Sequence, residues 1–213
     1  MKIRTEKYFE EFVNRYPDLN GEVNKIKVAV NTLITASEFG KILTCGNGGS
    51  SADAEHFSGE LLKSFELKRE LSKEDKQKFL GFYGEEGDKI AKNLQQGVKC
   101  IPISSFTAFN TAFANDCDGI YSYAQLVNVF GEQGDVLIAF STSGNAENVV
   151  LASKTAKVKG IKVIAFTGND GGKLKDACDI LINVPEDKTY AIQEKHVAIY
   201  HLICHAVESE LYD

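Results

Sequence analysis

The residues best suited to chemistry lie between Lys41 and Glu60, in the run KILTCGNGGSSADAEHFSGE. Glycines at 46, 48 and 49 let the backbone take positive φ and turn its N–H groups toward a ligand. Ser50 and Ser51 fall where the following helix presents unpaired donors, so the loop suits a phosphate. His56 and Glu60 are four residues apart, which on a helix puts both side chains on one face, one turn from each other. They form either a metal half-site or an acid/base pair. Taken singly, each feature has a plainer reading: Gly-rich strand-to-helix turns occur in α/β proteins that bind nothing there, and a His–Glu pair at this spacing can be a surface pair.

The elements that must position these groups are read from periodicity. Five short runs rich in β-branched residues, KILTC, VKCIPIS, DVLIAF, IKVIAF and DILINV, have the length of buried strands. Helical periodicity fills most of the gaps, over Ser50 to Phe65, Asp118 to Phe130 and Ala146 to Lys159. This alternation predicts an α/β fold with a parallel sheet. Two helices precede the sheet, over Lys7 to Tyr16 and Val23 to Phe39, and a long one follows it over Tyr190 to Leu211. The charged segment Leu71 to Gln96 interrupts the alternation and reads as an inserted pair of short helices. Its Phe79, Leu80, Phe82 and Tyr83 are expected to pack against a surface.

Four of the runs end in small or polar loops, CGNGGSS, SSFTAFN, STSGNAEN and TGNDGGK. In a parallel sheet these loops share the carboxyl edge, where open α/β sheets bind ligands. Ser141, Thr142 and Ser143, followed by Gly144 and Asn145 at a helix start, supply hydroxyl and N–H groups for a second anion site. The plainer alternative is that these serines only cap the helix.

The composition narrows the function classes. With 213 residues, 43% of them hydrophobic, the chain is long enough for a well-buried core and reads as one domain over 1–213. A net charge of −6 with no dense Lys/Arg block argues against nucleic acid as a partner. The basic stretch at Lys63, Lys68 and Arg69 is interleaved with acids and is expected to be a solvated face. Five widely spaced cysteines without a CxxC pair suit free thiols in a reducing compartment. No apolar run approaches the ~18–20 residues that span a bilayer. A cytoplasmic protein without a membrane partner is expected.

The motifs CGNGGSSADAEHF, FANDCD, STSGNAENV, TGNDGGKL and YAIQEKHVAIYHL, in that order from about Lys41 to the C-terminus, resemble the sugar isomerase (SIS) domain proteins and, among them, the phosphoheptose isomerases. The resemblance implies a flavodoxin-like SIS fold, with a five-stranded parallel sheet flanked by helices. N-terminal helices would fill residues 1–40, a helical insertion 71–96, and a long helix the C-terminus. It also implies a homotetramer with active sites between subunits. The implied reaction converts D-sedoheptulose 7-phosphate to D-glycero-D-manno-heptose 7-phosphate for surface-glycan heptoses. The nearest alternatives are isomerisation of another phosphosugar and a noncatalytic binding role.

Residue by residue, the resemblance assigns phosphate binding to Ser141, Thr142 and Ser143. The sugar falls to Asn47, Gly48, Gly49, Ser50, Glu60, Asn115, Asp116 and Gln193. Acid/base catalysis falls to Glu60 and His201, and a zinc site to His56, Glu60, Gln193 and His201. The apolar neighbours Phe57 and Leu61 would raise the pKa of a base at Glu60. Gln193 and His201 are eight residues apart, ~12 Å on a regular helix, so one metal meets both only through a late helix start, a bend or a second subunit. The chain departs from the family pattern at Ala146, where a serine is usual. A second departure is LLKSF, which lacks an arginine; Lys63 or Arg69 is the candidate replacement cation. His205 is expected to pack in the final helix, and His196 to be exposed or at a subunit contact.

Overall fold

The computed structural model describes all residues, Met1–Asp213. Five strands, β1 (Ile42–Cys45), β2 (Cys100–Pro102), β3 (Val136–Phe140), β4 (Lys162–Thr167) and β5 (Ile180–Asn183), form one sheet. Every pairing is parallel and the spatial order is β2-β1-β3-β4-β5. Four lie inside the runs expected from sequence, and β4 extends one residue past its run, to Thr167. The order reverses at β1, so the crevice beyond the ends of β1 and β3 is the topological switch point of a flavodoxin-like sheet.

Side-chain alternation divides the core between the two faces of the sheet. Ile42, Val136, Ile138, Phe140, Ile164 and Phe166 face the helices α1 (Ile3–Arg15), α2 (Val23–Phe39), α3 (Gly49–Leu62) and α8 (Thr189–Tyr212). Leu43, Leu137, Ala139, Val163 and Ala165 face α6 (Ser122–Phe130) and α7 (Glu147–Val158). Burial on both faces is why these strands read as continuous apolar runs rather than alternating ones.

Helix α3 is held to β1 by Ala54, Phe57 and Leu61 in the core. A small polar contact adds to this: the Thr44 hydroxyl donates to the Ala54 carbonyl at 3.0 Å and lies 3.0 Å from Ser58 Oγ. Gly49 touches Gln193, while His56 and Tyr200 meet seven residues further along both chains. Helices α3 and α8 therefore run side by side in the same direction.

The inserted segment is the helical hairpin expected, α4 (Lys73–Asn93), broken at Gly84, whose φ is +57°. Of the four apolar side chains expected to pack, only Phe79 is half-buried. Phe82 is 82% exposed, and Tyr83 and Leu80 are also exposed. The hairpin closes backbone to backbone instead: a Cβ on Gly87 would stand 1.9 Å from the Phe79 carbonyl oxygen. The short helix α5 (Thr107–Asp116) follows β2 and buries no residue. All five cysteines are free thiols, and no helix is long and apolar enough to cross a membrane.

Candidate active site

The loop after β1 is shaped by its glycines. A Cβ on Gly46 would meet the Ser50 carbonyl oxygen at 2.4 Å, and Gly48 takes φ +55° just before α3 begins. Tyr123 donates its hydroxyl to the Gly46 carbonyl at 2.8 Å, tying the loop to α6. The N–H groups of Asn47, Gly48 and Gly49 enter no turn or side-chain hydrogen bond and remain available to an anion. Ser50 is buried in the first turn of α3.

Across the switch point, the loop after β3 is built the same way. Gly144 takes φ +65°, and the Ser143 hydroxyl accepts the Asn145 N–H at 3.1 Å. The Ser141 hydroxyl lies 3.5 Å from the Ala146 N–H, so it braces this loop from a buried position. The N–H groups of Thr142 and Ser143 remain free. Both readings of the serines therefore hold: they brace the turn, and the braced turn presents donors. The two loops are clasped by a reciprocal amide pair, Asn47 to Asn148 at 2.8 and 2.9 Å. Thr142, Ser143 and Asn145 open onto a cavity of about 400 Å³ shared with Gly168, Asn169 and Glu186.

Two turns along α3, the acid/base residues gather. His56 Nε2 lies 3.3 Å from Glu60 Oε1, and Lys63 Nζ lies 3.0 Å from the other carboxylate oxygen. The Tyr200 hydroxyl is 2.8 Å from His56 Nδ1. The tautomer that serves both contacts carries its proton on Nε2, toward Glu60, and accepts at Nδ1 the Tyr200 hydroxyl, a phenol that burial keeps protonated by raising its pKa. His201 packs edge-on to His56 with ring centroids 5.0 Å apart, and its Nε2 is buried without a partner. Burial, together with the charge of His56, lowers the His201 pKa below the ordinary imidazole range. Its neutral form is the resting one near neutrality.

Several expectations are corrected here. Phe57 and Leu61 point into the core, and the polar partners of the Glu60 carboxylate are His56 and Lys63. Within one chain Gln193 does not join His56, Glu60 and His201, because α8 is already helical from Thr189 and places Gln193 against Gly49; of the three routes expected, a late helix start is absent and a second subunit is left. No three His, Cys, Asp or Glu side chains stand at metal-ligand spacing within the chain. Asn115 and Asp116 end the exposed helix α5, and their side chains bond only to each other, at 2.8 Å. Arg69 is no solvated or substrate-facing cation, being 1% exposed and paired with Glu208. His196 is fully buried against Phe140 and Phe166, with Nε2 3.2 Å from the Thr167 carbonyl, rather than exposed. His205 packs as expected, stacked on Tyr8 and tilted against Phe65.

Two residues not anticipated as functional also face this cluster. Tyr200 orients His56. Asp53, one turn before His56, is buried with Oδ2 unpartnered; burial pushes its carboxyl up to about 6, partly opposed by His56. The spacing of Asp53 and His56, three apart on α3, was the available signal. A carboxyl whose folded pKa is raised contributes stability that is full below its ordinary value of ~4 and is lost as pH rises through about 6. Asp53→Asn should therefore gain melting temperature over the parent as pH rises from 4.5 to 7.5. A constant gap between the two melting curves would refute the assignment.

The comparisons with known proteins agree with this geometry. The sequence model of the SIS domain family matches residues 98–168. The phosphoheptose isomerase of Clostridium acetobutylicum is 37% identical over 195 residues, covering 89% of this chain and 84% of the relative. That of Laribacter hongkongensis is 40% identical over 172 residues, covering 79% and 74%. The solved phosphoheptose isomerase of Neisseria gonorrhoeae superposes with a TM-score of 0.73 at 31% identity, over 97% of both chains. With the switch-point loops, the His56–Glu60–His201 cluster and these relatives, this chain belongs to the phosphoheptose isomerase family of SIS domain proteins.

Proposed function

We propose that this protein is an aldose-ketose isomerase that converts D-sedoheptulose 7-phosphate to D-glycero-D-manno-heptose 7-phosphate through a cis-enediol. The observation that carries the reading is the convergence of Glu60 and His201 around His56, on two parallel helices whose near ends meet the anion-binding loops. The phosphate is received by the N–H and hydroxyl groups of Thr142 and Ser143, on a loop braced by Ser141. The sugar is received by the loop Asn47, Gly48, Gly49 and Ser50.

The chemistry moves a carbonyl between C2 and C1. Glu60 takes the proton from the carbon beside the carbonyl and returns it to its neighbour, while the His201 imidazole passes a proton between the two oxygens. A neutral His201 is needed for that shuttle. Its lowered pKa places the acid limb of kcat below the ordinary histidine range near 6.5. A pH–rate profile whose acid limb lies at or above that value would contradict the role.

Zinc is part of the proposal. His56, Glu60 and His201 carry nitrogen and oxygen donors of the types zinc takes, and the unpartnered His201 Nε2 supports a ligand there; because the three do not stand at ligand spacing within one chain, side-chain rotation or a group from a second copy would be needed to close the site. When bound, the ion would polarise the sugar carbonyl as a Lewis acid. Metal analysis of the purified protein beside His56→Ala checks this; equal zinc in both would remove His56 from the set. Assembly is proposed as well. One chain leaves Gln193 two turns from His201 and Asn115 and Asp116 on an exposed helix, so a second copy would complete the site. Sedimentation should then report a homotetramer, and a monomer with full activity would sink that reading.

Turnover is tested by NMR with sedoheptulose 7-phosphate in deuterated water. Appearance of the aldose, with solvent deuterium entering when the abstracted proton exchanges, supports the reading. Absence of turnover by folded, zinc-supplied protein refutes it, and retained binding of phosphate esters would then favour another phosphosugar.

A further inference from the structure

Arg69 and Glu208 form a buried ion pair that the catalytic scheme does not use. The guanidinium Nε donates to Glu208 Oε1 at 2.7 Å, and both side chains are essentially inaccessible to solvent. The remaining guanidinium nitrogens donate to backbone carbonyls at the end of α3, to Leu61 at 2.9 Å and to Glu60 itself at 3.3 Å. Glu208 in turn accepts the N–H groups of Phe65, Glu66 and Leu67 at 2.7, 2.8 and 3.0 Å. Arg69 also lies over the Tyr212 ring at 4.8 Å. Each guanidinium nitrogen and each carboxylate oxygen has at least one partner, which favours a rigid pair over a merely costly one.

The partners of this pair are what make it more than a core bridge. Arg69 caps carbonyls at the end of α3, the helix carrying His56 and Glu60, sharing that of Leu61 with the Val98 N–H. Glu208 lies seven residues after His201 on α8, two turns away on the same face. The pair thus joins the backbone of the base to the helix of the proton shuttle. The root of the inserted hairpin is tied to the same point: Gln96 N–H donates to the Arg69 carbonyl at 2.8 Å, and Arg69 N–H donates to Ser64 Oγ at 3.0 Å.

We infer that Arg69 and Glu208 are positioning residues for isomerisation, setting the Glu60 carboxylate against His56 and His201. The inference rests on the isomerase reading above. A misplacement of about 1 Å at a reacting group costs about 100-fold in rate. Neither residue touches the anion-binding loops, so substrate affinity should be spared.

The test compares Arg69→Met, Arg69→Lys and Glu208→Gln with the parent, each confirmed folded by its thermal transition. For Arg69→Met and Glu208→Gln, kcat should fall about 100-fold with KM changed less than about threefold, and Arg69→Lys should recover part of the loss. The His56 imidazole signal in NMR should shift in the first two variants, as Glu60 leaves Nε2, and return toward the parent position in Arg69→Lys. Glu208→Gln keeps the shape of the acceptor and serves if Arg69→Met does not fold. Unchanged kcat with an unchanged His56 signal in folded variants would reduce the pair to a structural bridge and overturn the inference. A raised KM at constant kcat would overturn it in favour of a substrate-binding cation. If the parent itself does not turn over sedoheptulose 7-phosphate, the isomerase reading fails, and the His56 signal alone then decides whether the pair sets the cluster's geometry.

Discussion

Glu60→Gln should lower kcat for sedoheptulose 7-phosphate by about 1,000-fold, within the range that a placed acid/base group contributes. The amide matches the carboxylate in shape but has no basic oxygen able to take a proton from carbon. The contacts it must replace are a hydrogen bond toward His56 and a pair with the half-exposed Lys63, and an exposed pair of that kind adds little to stability. The variant should therefore melt close to the parent and keep its KM. NMR in deuterated water reads both the loss of product and the loss of deuterium uptake at the sugar carbon. A folded variant within tenfold of the parent would remove Glu60 from the role of carbon base.

Gly144→Ala should act on binding instead. Gly144 holds φ +65°, which costs ~1–2 kcal/mol for a residue with a Cβ. The added carbon would also stand 2.1 Å from the Gly171 carbonyl oxygen, which is backbone and cannot swing away. Loops β3–α7 and β4–β5 are interlocked there: Leu174 N–H donates to the Gly144 carbonyl at 3.0 Å, and the Asn145 side chain accepts the Lys173 N–H at 3.0 Å while donating to the Ser143 carbonyl at 2.8 Å. One loop must move, and the Thr142 and Ser143 donors move with it. Losing two charged hydrogen bonds at ~1.5 kcal/mol or more each corresponds to about 100-fold in affinity. Titration of the folded variant with the sugar phosphate measures this. Affinity within threefold of the parent would show that the loop does not hold the phosphate.

The TGNDGGK loop shows where a motif's position was legible and its part was not. It does share the carboxyl edge with the other loops, as the strand pattern implied. Its glycines, however, serve close approach to the loop after β3: a Cβ on Gly172 would meet the Ser143 carbonyl at 2.5 Å. A glycine that admits a ligand and one that admits a neighbouring loop look the same in a sequence.

What the sequence determined by itself is local or periodic. The apolar runs placed five strands, and helical spacing put His56 beside Glu60, because both follow from the fixed rise and twist of a single element. Val23–Phe39 formed the helix its periodicity demanded, residue for residue. Tertiary structure decided what depends on which element lies alongside which. Arg69 reads as one more charge in an interleaved surface stretch, and becomes a buried pair only because α8 brings Glu208 to the end of α3. His196 reads as a polar residue on a helix, yet it occupies the face of α8 that meets Phe140 and Phe166, and its burial follows from that packing. Gln193 and His201 share a helix, and its uninterrupted rise keeps them apart within one chain. Contacts between elements distant in sequence carry no periodic signature, so packing alone could assign these residues their partners.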